Sequence, residues 1–299
     1  MSKQLRGTAL LILAAMIWGV AFVAQSEGMN YVGPFTFQAV RQMLGAVILL
    51  PVILFRDRRG VESALRPKTK KEWKTLLLSG LLCGVVLFCA SSLQQIGLMH
   101  TTAGKSGFLT AMYVIFVPLL GIFIGKKIGA KVIVAAIIAL VGMYFLCIQG
   151  DISFGVGELL TLGAAICFAV HILLIDRFGP QVDGVRMASL QFFVCSILSI
   201  PFMFLTEQPQ LSSILACWLP ICYAGILSCG VAYTLQILAQ KNTDPTIASI
   251  TLSLESVFAS ISGWIILGQA MNMLEIFGAA LMFAAIVLAQ LPDKKKRSA

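Results

Sequence analysis

The sequence predicts an all-α integral membrane protein with ten transmembrane helices, arranged as two inverted five-helix repeats around a central cavity. Three observations predict this fold: an apolar composition, ten apolar segments, and basic residues confined to alternate connectors. Of the 299 residues, 59% are apolar and 12% are charged, and the mean hydropathy is +0.93. Soluble chains average about 25% charged residues. We therefore expect the function to lie within the membrane.

The apolar segments have the length that a membrane requires. An apolar helix needs about 20 residues to cross the hydrocarbon core. Only short connectors remain between the segments, so no separate soluble domain is expected. We place the spans at 7–26, 34–55, 75–97, 102–124, 130–148, 158–177, 184–205, 213–239, 245–267 and 272–291.

Basic residues mark one side of the predicted membrane. All but two of the 22 Lys and Arg residues lie near the termini or in every second connector, and the intervening connectors contain none. Basic residues remain on the cytoplasmic side of inserted helices. The pattern predicts a multi-pass cell-membrane protein with cytoplasmic N- and C-termini and a basic tail. The two exceptions, Arg41 and Lys105, lie inside apolar segments.

The net charge of +9 at pH 7 follows from this orientation. The cations lie beside membrane ends, where they meet anionic lipid headgroups. We expect membrane lipids and a small-molecule substrate as partners. We expect no nucleic acid, because no basic face is free of the bilayer.

Neither the cysteines nor the one phosphate-loop-like motif predicts a cofactor. All eight cysteines lie in apolar spans without a CxxC pair, which is typical of packing residues rather than of disulfides or metal ligands. Gly104-Lys105-Ser106 is similar to the end of a phosphate-binding loop, but position 99 holds Met instead of Gly. We therefore predict that the protein binds neither a metal nor ATP. A proton or solute gradient is the expected energy source.

Weak internal similarity predicts two repeats, 1–150 and 151–299. Each would contain five crossings, an odd number, so that the second repeat would enter the membrane in the opposite sense. Inverted repeats are common in secondary transporters. Gly7 matches Gly157 and Pro51 matches Pro201, both at an offset of 150 residues. Later pairs are Trp73 with Trp218 at an offset of 145, Gly84 with Gly230 at 146, and Phe116 with Phe258 at 142.

Glycines spaced four residues apart predict close contacts between helices. Small residues at this spacing let helix backbones approach in lipid. The pattern occurs at Gly80 and Gly84, and again at Gly121, Gly125 and Gly129.

Short motifs along nearly the whole chain resemble one transporter family. They are Trp18–Phe22, Gly33–Phe37 followed by Arg41, Thr101–Phe108, Val117–Gly121, and Leu254–Phe258 followed by Gly263–Trp264. Together they resemble the drug/metabolite transporter superfamily in its EamA family of ten-helix carriers. The resemblance implies two EamA repeats around a cavity lined mostly by spans one, three, four, six, eight and nine. It also implies export or exchange of small metabolites such as amino acids.

The chain departs from the family pattern in span nine. The family often has Glu-Pro where this chain has Glu255-Ser256, so a proline kink is not expected there. Tyr113 occupies the place in the first half that corresponds to Glu255. Any acidic symmetry between the halves is therefore broken.

Glu255 is the leading candidate for a functional residue. It lies near the middle of span nine, where a charge costs a few kcal/mol or more unless it is paired, hydrated or protonated. It is expected either to bind an amine or carry a coupling proton, or to form a structural contact. The structural contact would be a hydrogen bond between helices or a salt bridge with Arg41.

Arg41 and Lys105 are the two basic candidates within apolar spans. Arg41 lies about two turns from the outer end of span two. It either faces an anionic group of a substrate, such as a carboxylate, or forms a buried structural pair or extends toward the headgroups. Lys105 is nearer the outer end of span four, where a substrate contact competes with the same extension toward the headgroups.

Further candidates are polar or aromatic residues in the spans that the resemblance places around the cavity. His171 either acts as a proton relay or contacts the substrate, or it is a hydrogen-bonded packing residue. Adjacent glutamines cannot point the same way, so at most one of Gln94 and Gln95 should face the cavity. The remaining candidates are Trp18, Tyr113, Tyr233 and Gln236.

The predicted function is a secondary active transporter that works by alternating access. A membrane-embedded enzyme or lipid-modifying protein is the alternative. It would require a nucleophile or metal cluster at a consistent depth, and the sequence offers no such motif. A channel would be expected to have a continuous polar stripe, whereas the polar residues here are scattered.

Overall fold

The computed structural model describes residues 3–59, 65–101, 103–126, 128–147, 155–267 and 272–291. Within these residues the chain is helical and has no β-strand. A 3₁₀ turn, Gly179–Gln181, follows α7, and a π-helical segment, Tyr223–Tyr233, joins α10 to α11. The helices are α1 (Lys3–Gly28), α2 (Pro34–Arg58), α3 (Lys70–Leu98), α4 (Ala103–Ala111), α5 (Tyr113–Phe123), α6 (Ala130–Cys147), α7 (Val156–Phe178), α8 (Gly184–Thr206), α9 (Leu211–Ala216), α10 (Trp218–Cys222), α11 (Thr234–Gln240), α12 (Pro245–Leu252), α13 (Glu255–Leu267) and α14 (Met273–Gln290).

Eight helical stretches of the described chain are long and apolar enough to cross a membrane. Three of them are composite: α4 with α5, α10 with the π segment and α11, and α12 with α13. Two shorter apolar stretches, Ala130–Phe145 and Met273–Ala289, lie in α6 and α14. An all-helical protein with membrane-spanning helices is confirmed, and the count of ten crossings stays a prediction.

One end of the helix bundle, which we call the basic end, carries ion pairs between neighbouring helices. Arg186 near the start of α8 donates to both carboxylate oxygens of Asp57 near the end of α2, at 2.7 Å each. Lys126, after α5, pairs with Asp176 in the last turns of α7 at 2.5 Å. The basic connectors therefore meet at one end of the bundle. The cations of the basic end are Arg56, Arg66, Lys126, Lys131, Arg186 and Lys241.

The opposite end has an acidic contact between helices that are distant in sequence. Glu207, just after α8, accepts hydrogen bonds from the backbone N–H groups of Phe35 and Thr36 at 2.7 and 2.8 Å. These groups belong to the first turn of α2, whose amides have no partner within the helix. A Cβ at Gly33 would lie 2.2 Å from the Glu207 carboxyl carbon. Glycine at this position therefore leaves room for the carboxylate.

The close helix contact that the sequence predicts at Gly80 and Gly84 is confirmed. A Cβ added at Gly80 would lie 2.6 Å from Leu190 Cβ, and one at Gly84 would lie 2.5 Å from Val194 Cβ. Both neighbours belong to α8. The backbones of α3 and α8 thus approach as closely as small residues allow.

The same prediction is wrong for Gly121, Gly125 and Gly129. A Cβ at Gly121 would have ordinary contact with Lys126 at 3.7 Å, and one at Gly125 or Gly129 would meet nothing within 4 Å. Gly125 has a φ of +81°, a left-handed conformation that glycine adopts without strain. This part of the glycine pattern shapes the turn between α5 and α6 rather than a helix contact.

The π-helical segment coincides with a one-residue change in the offset between the two halves of the sequence. The offset is 145 residues at the pair Trp73 and Trp218, and 146 at the pair Gly84 and Gly230. In the predicted alignment of the two repeats, the extra residue would fall between 218 and 230, where the π segment lies. Because π turns hold more residues than α turns, the helix can absorb the insertion without interruption.

Two membrane-spanning helices are interrupted halfway along. One residue separates α4 from α5, which begins at Tyr113, and two residues separate α12 from α13, which begins at Glu255. The second break contains no proline. Instead, the Ser253 hydroxyl donates to the Ile250 carbonyl at 2.8 Å, a bond within the helix that favours bending. Loss of the family's proline at Ser256 therefore does not restore a continuous helix.

Candidate functional site

A cavity of about 50 Å³ lies between the helices at the level of the two breaks. The resemblance implied six lining spans, and the structure adds α2. The residues that line the cavity are Trp18, Phe22, Gln25, Arg41, Gln42, Gln94, Thr110, Tyr113, Phe168, His171, Ile172, Ser228, Tyr233, Gln236, Leu252 and Glu255.

Tyr113 and Glu255 lie where the two broken helices cross. The Tyr113 hydroxyl donates to Glu255 Oε1 at 2.9 Å, and both side chains are buried. Since α4 packs against α13 and α5 against α12, the broken helices cross in opposite directions. Glu255 is the first residue of α13, and the dipole at a helix N-terminus favours a carboxylate there.

Arg41 is buried in the cavity wall with a neutral hydrogen-bond partner. Its side chain is 4% exposed, and Nη1 donates to Gln25 Oε1 at 2.8 Å. The guanidinium carbon lies 5.5 Å from the centre of the Phe37 ring. Arg41 therefore does not extend to the lipid surface. The salt bridge with Glu255 that the sequence left open is not formed, because the Glu255 carboxyl accepts from Tyr113 instead.

The two adjacent glutamines point in different directions, as the helix geometry predicts. Gln94 lines the cavity, and its Nε2 donates to Thr110 Oγ1 at 3.0 Å. Gln95 is buried outside the cavity wall, where its Nε2 donates to the backbone carbonyl of Gln25 at 3.4 Å. Gln95 therefore supports the α1 backbone, and Gln94 faces the cavity.

Aromatic rings form one wall around Tyr233. The Trp18 and Tyr233 ring centres are 4.6 Å apart, and Trp18 Nε1 donates to the Ser228 carbonyl at 3.3 Å. The His171 ring centre lies 5.8 Å from that of Tyr233, and His171 Nε2 is 3.0 Å from Gln191 Oε1. Trp18 is thus held by another residue of the cavity wall, and His171 is held by Gln191, which does not line the cavity.

Of the remaining candidates, one lines the cavity, one has a side chain outside the described part of the chain, and one is exposed. Gln236 lines the cavity and is buried, and no described group bonds its Oε1. Lys105 belongs to α4, but its side chain lies outside the described part of the chain. Trp264, an aromatic residue in one of the family motifs, is 52% exposed on α13 and does not line the cavity.

Several cavity residues were missed in the sequence, although helical spacing could have identified them. Phe22 and Gln25 follow Trp18 by four and seven residues, and Thr110 precedes Tyr113 by three. These intervals place residues on one helix face. Neutral amides and hydroxyls within apolar spans carry a weaker signal than charges do, so they were not singled out.

Three ionisable side chains of the sequence-derived candidates, Arg41, His171 and Glu255, line the cavity. The described residues contain no group of three His, Cys, Asp or Glu side chains that could hold a metal ion. The seven cysteines whose side chains are described are free.

Comparison with known families identifies one match that covers most of the chain. The sequence model of the EamA-like transporter family matches residues 5–148 and 155–291. A solved crystal structure superposes with a TM-score of 0.76 at 19% identity, over 95% of this chain and 96% of its own. At this identity the superposition supports the fold alone.

Curated relatives are named as transporters. An uncharacterized transporter of Archaeoglobus fulgidus is 29% identical over 292 residues, which cover 97% of this chain and 87% of the relative. The uncharacterized transporter YvbV of Bacillus subtilis is 30% identical over 69% of this chain and 66% of its own length. The threonine/homoserine exporter RhtA of Salmonella typhimurium is 28% identical over 50% of this chain and 51% of its own.

Proposed function

The chain belongs to the EamA-like transporter family, and we propose that it is a secondary active transporter that exports or exchanges small metabolites such as amino acids. The observation that carries this proposal is the cavity at the crossing of two interrupted helices. Discontinuous helices that meet near the membrane midplane form the substrate sites of many secondary transporters. The relative named as a threonine/homoserine exporter makes amino acids the first class to test.

The proposed architecture has ten transmembrane helices in two inverted repeats, residues 1–150 and 151–299. The two separate matches to the family support this division. The break before Tyr113 also has a counterpart before Glu255, 142 residues later. With five crossings each, the repeats would enter the membrane in opposite senses and could exchange conformations around the cavity. Alternating access is the mechanism that this symmetry favours.

The proposed orientation puts the basic end in the cytoplasm of a cell-membrane protein, with both termini on that side. Ion pairs such as Arg186 with Asp57 and Lys126 with Asp176 collect there. Basic connectors are retained on the cytoplasmic side during insertion. The Gln25 and Arg41 part of the cavity wall would then lie toward the outside.

Glu255 is the proposed coupling group. Its carboxyl is buried in the cavity at a helix crossing, where it could exchange a proton or bind a substrate amine. Tyr113 would hold the carboxyl in place, and His171 would be the second group able to take up a proton. Trp18, Tyr233, Gln94 and Gln236 would form the substrate-facing wall.

A metabolite-wide exchange screen tests the proposal. Purified protein is reconstituted into vesicles loaded with a mixture of metabolites, and their release is followed by mass spectrometry with and without a proton gradient. We expect selective movement of small metabolites that protein-free vesicles do not show. Chemical conversion of a compound without its movement across the membrane would contradict the proposal and favour the enzyme alternative.

A further inference from the structure

Arg41 is a buried cation without a carboxylate partner in the described chain. Its side chain is 4% exposed, and its one described hydrogen bond goes to the neutral Gln25 amide. The arginines of the basic end are bound differently: Arg186 lies at 2.7 Å from Asp57, and Arg56 at 3.4 Å from Asp183. The most deeply buried of these three guanidinium groups is therefore the one without a counter-charge.

A buried guanidinium without a counter-charge is unfavourable. Transfer of an unpaired charge into a protein interior costs several kcal/mol, and arginine does not avoid the penalty by losing its proton. The Gln25 oxygen and the Phe37 ring compensate only part of it. The guanidinium has five N–H donors, and Nε has no described partner. Arg41 thus retains both charge and donor capacity at the cavity wall.

We propose that Arg41 is the anion-binding part of the substrate site and holds a carboxylate group of the transported solute. The planar guanidinium matches a carboxylate in shape and charge. Gln42 follows Arg41 in the chain and also lines the cavity. Its amide can donate and accept hydrogen bonds at this wall. The inference rests on the proposed transport function and narrows its substrates to organic anions and zwitterions.

Glu255 complements this subsite within the same cavity. Its carboxyl is bound to Tyr113 rather than to Arg41, so the two opposite charges are not neutralised by each other. A zwitterion such as an amino acid could place its carboxylate at Arg41 and offer its ammonium group to Glu255. A solute that carries only an amine would leave Arg41 unpaired and should be rejected.

Matched pairs of acids and amides test the carboxylate requirement. The probes are the common amino acids and their α-amides, which keep the side chain and the ammonium group but lack the carboxylate. For each acid that exchanges, we expect its amide to exchange at least about tenfold more slowly, since a hydrogen bond to a charged group is worth about 1.5–3 kcal/mol. Arg41→Gln should remove this preference. Arg41→Lys should keep part of it, because the charge remains while the planar fork is lost.

Unfolding temperatures without any solute provide a second, independent test. Arg186→Gln serves as the matched control, because it removes a paired arginine and should lower the unfolding temperature. Arg41→Gln should leave that temperature unchanged or raise it, since an unneutralised charge is removed. A decrease as large as that of Arg186→Gln would make Arg41 a structural residue and overturn the inference.

The outcomes separate this inference from the proposed function. If amides exchange as fast as acids, the protein is a transporter, but Arg41 is not its anion subsite. If no solute crosses the membrane, the transport proposal fails. The unfolding temperatures of Arg41→Gln and Arg186→Gln without solute then show whether Arg41 carries a charge that the protein itself does not neutralise.

Discussion

The Tyr113 hydroxyl donates a 2.9 Å hydrogen bond to the Glu255 carboxyl, and this bond joins the second halves of the two interrupted helices. The two residues begin α5 and α13, so each lies directly after a break. A phenol and a carboxyl are complementary as donor and acceptor, whereas two carboxylates at this distance could not both remain ionised. The combination of a phenol and a carboxyl therefore permits a direct hydrogen bond at the crossing.

The first prediction concerns the coupling role of Glu255. Glu255→Gln should abolish solute accumulation driven by a proton gradient, because the amide keeps the shape and an acceptor oxygen but cannot release a proton. Any exchange of solute down its own gradient that remains should be slower, because Glu255 also faces the substrate ammonium group, and it should not depend on the proton gradient. The measurement is uptake into reconstituted vesicles with and without an imposed proton gradient, between about pH 5 and pH 8.

Glu275→Gln is the matched control for this experiment. Glu275 caps the first turn of α14 and does not line the cavity, so its replacement should leave proton-driven uptake intact. Wild-type uptake that is independent of pH and of the proton gradient would rule out the coupling role.

The second prediction concerns the energy of the Tyr113–Glu255 bond. Tyr113→Phe removes only the hydroxyl and leaves a buried carboxyl without its donor, a loss of about 1–3 kcal/mol. In a double-mutant cycle with Glu255→Ala, which removes the acceptor, we expect a coupling energy of about 0.5–3 kcal/mol. Equilibrium unfolding of the four proteins in detergent measures this energy. Additive effects of the two substitutions would show that the contact contributes no stability.

The sequence was most informative where charged residues lie within apolar spans. Arg41 and Glu255 could be selected without a structure because charges within membrane segments are unfavourable and therefore rare. Both residues line the cavity. Gln25 and Thr110 bind directly to cavity residues, yet neutral polar groups near span ends or between apolar residues are too common to be selected in the same way.

Which polar side chains pair across helices was beyond sequence reasoning, because such pairs depend on the rotation and depth of each helix. Arg41 and Glu255 have opposite charges, and composition alone allows them to pair, yet each has another partner in the structure. The break before Glu255 was similarly hidden. Its expected signal was proline, whereas the structure has an intrahelical bond from Ser253, a residue that is also compatible with a continuous helix.

The third prediction concerns the contact between α1 and α13 behind the cavity. A Cβ at Gly19 would lie 2.4 Å from Phe258 Cβ and 2.7 Å from the Ala259 backbone nitrogen, so Gly19→Ala must separate the two helices. Overpacking of this kind destabilises by about 1–3 kcal/mol. Because Gly19 follows Trp18 in the cavity wall, transport should also decrease. Thermal unfolding and exchange assays measure the two effects.

Gly163→Ala is the control for the Gly19 substitution. Gly163 lies within α7, and a Cβ there would have ordinary contact with Leu93 at 3.5 Å. Alanine should therefore be tolerated and should stabilise the helix by about 0.5–1 kcal/mol. Equal destabilisation by both substitutions would contradict the close approach of α1 and α13.

The fourth prediction concerns Glu207, which caps α2 from the end of α8. Glu207→Ala removes the acceptor of the Phe35 and Thr36 N–H groups, and loss of a helix cap costs about 0.5–2 kcal/mol. Gly33→Ala should cause a similar loss, because its new Cβ would occupy the position of the Glu207 carboxylate. Since both changes break one contact, the double variant should be little less stable than either single variant. Unfolding of the three proteins in detergent measures this, and fully additive losses would contradict the shared contact.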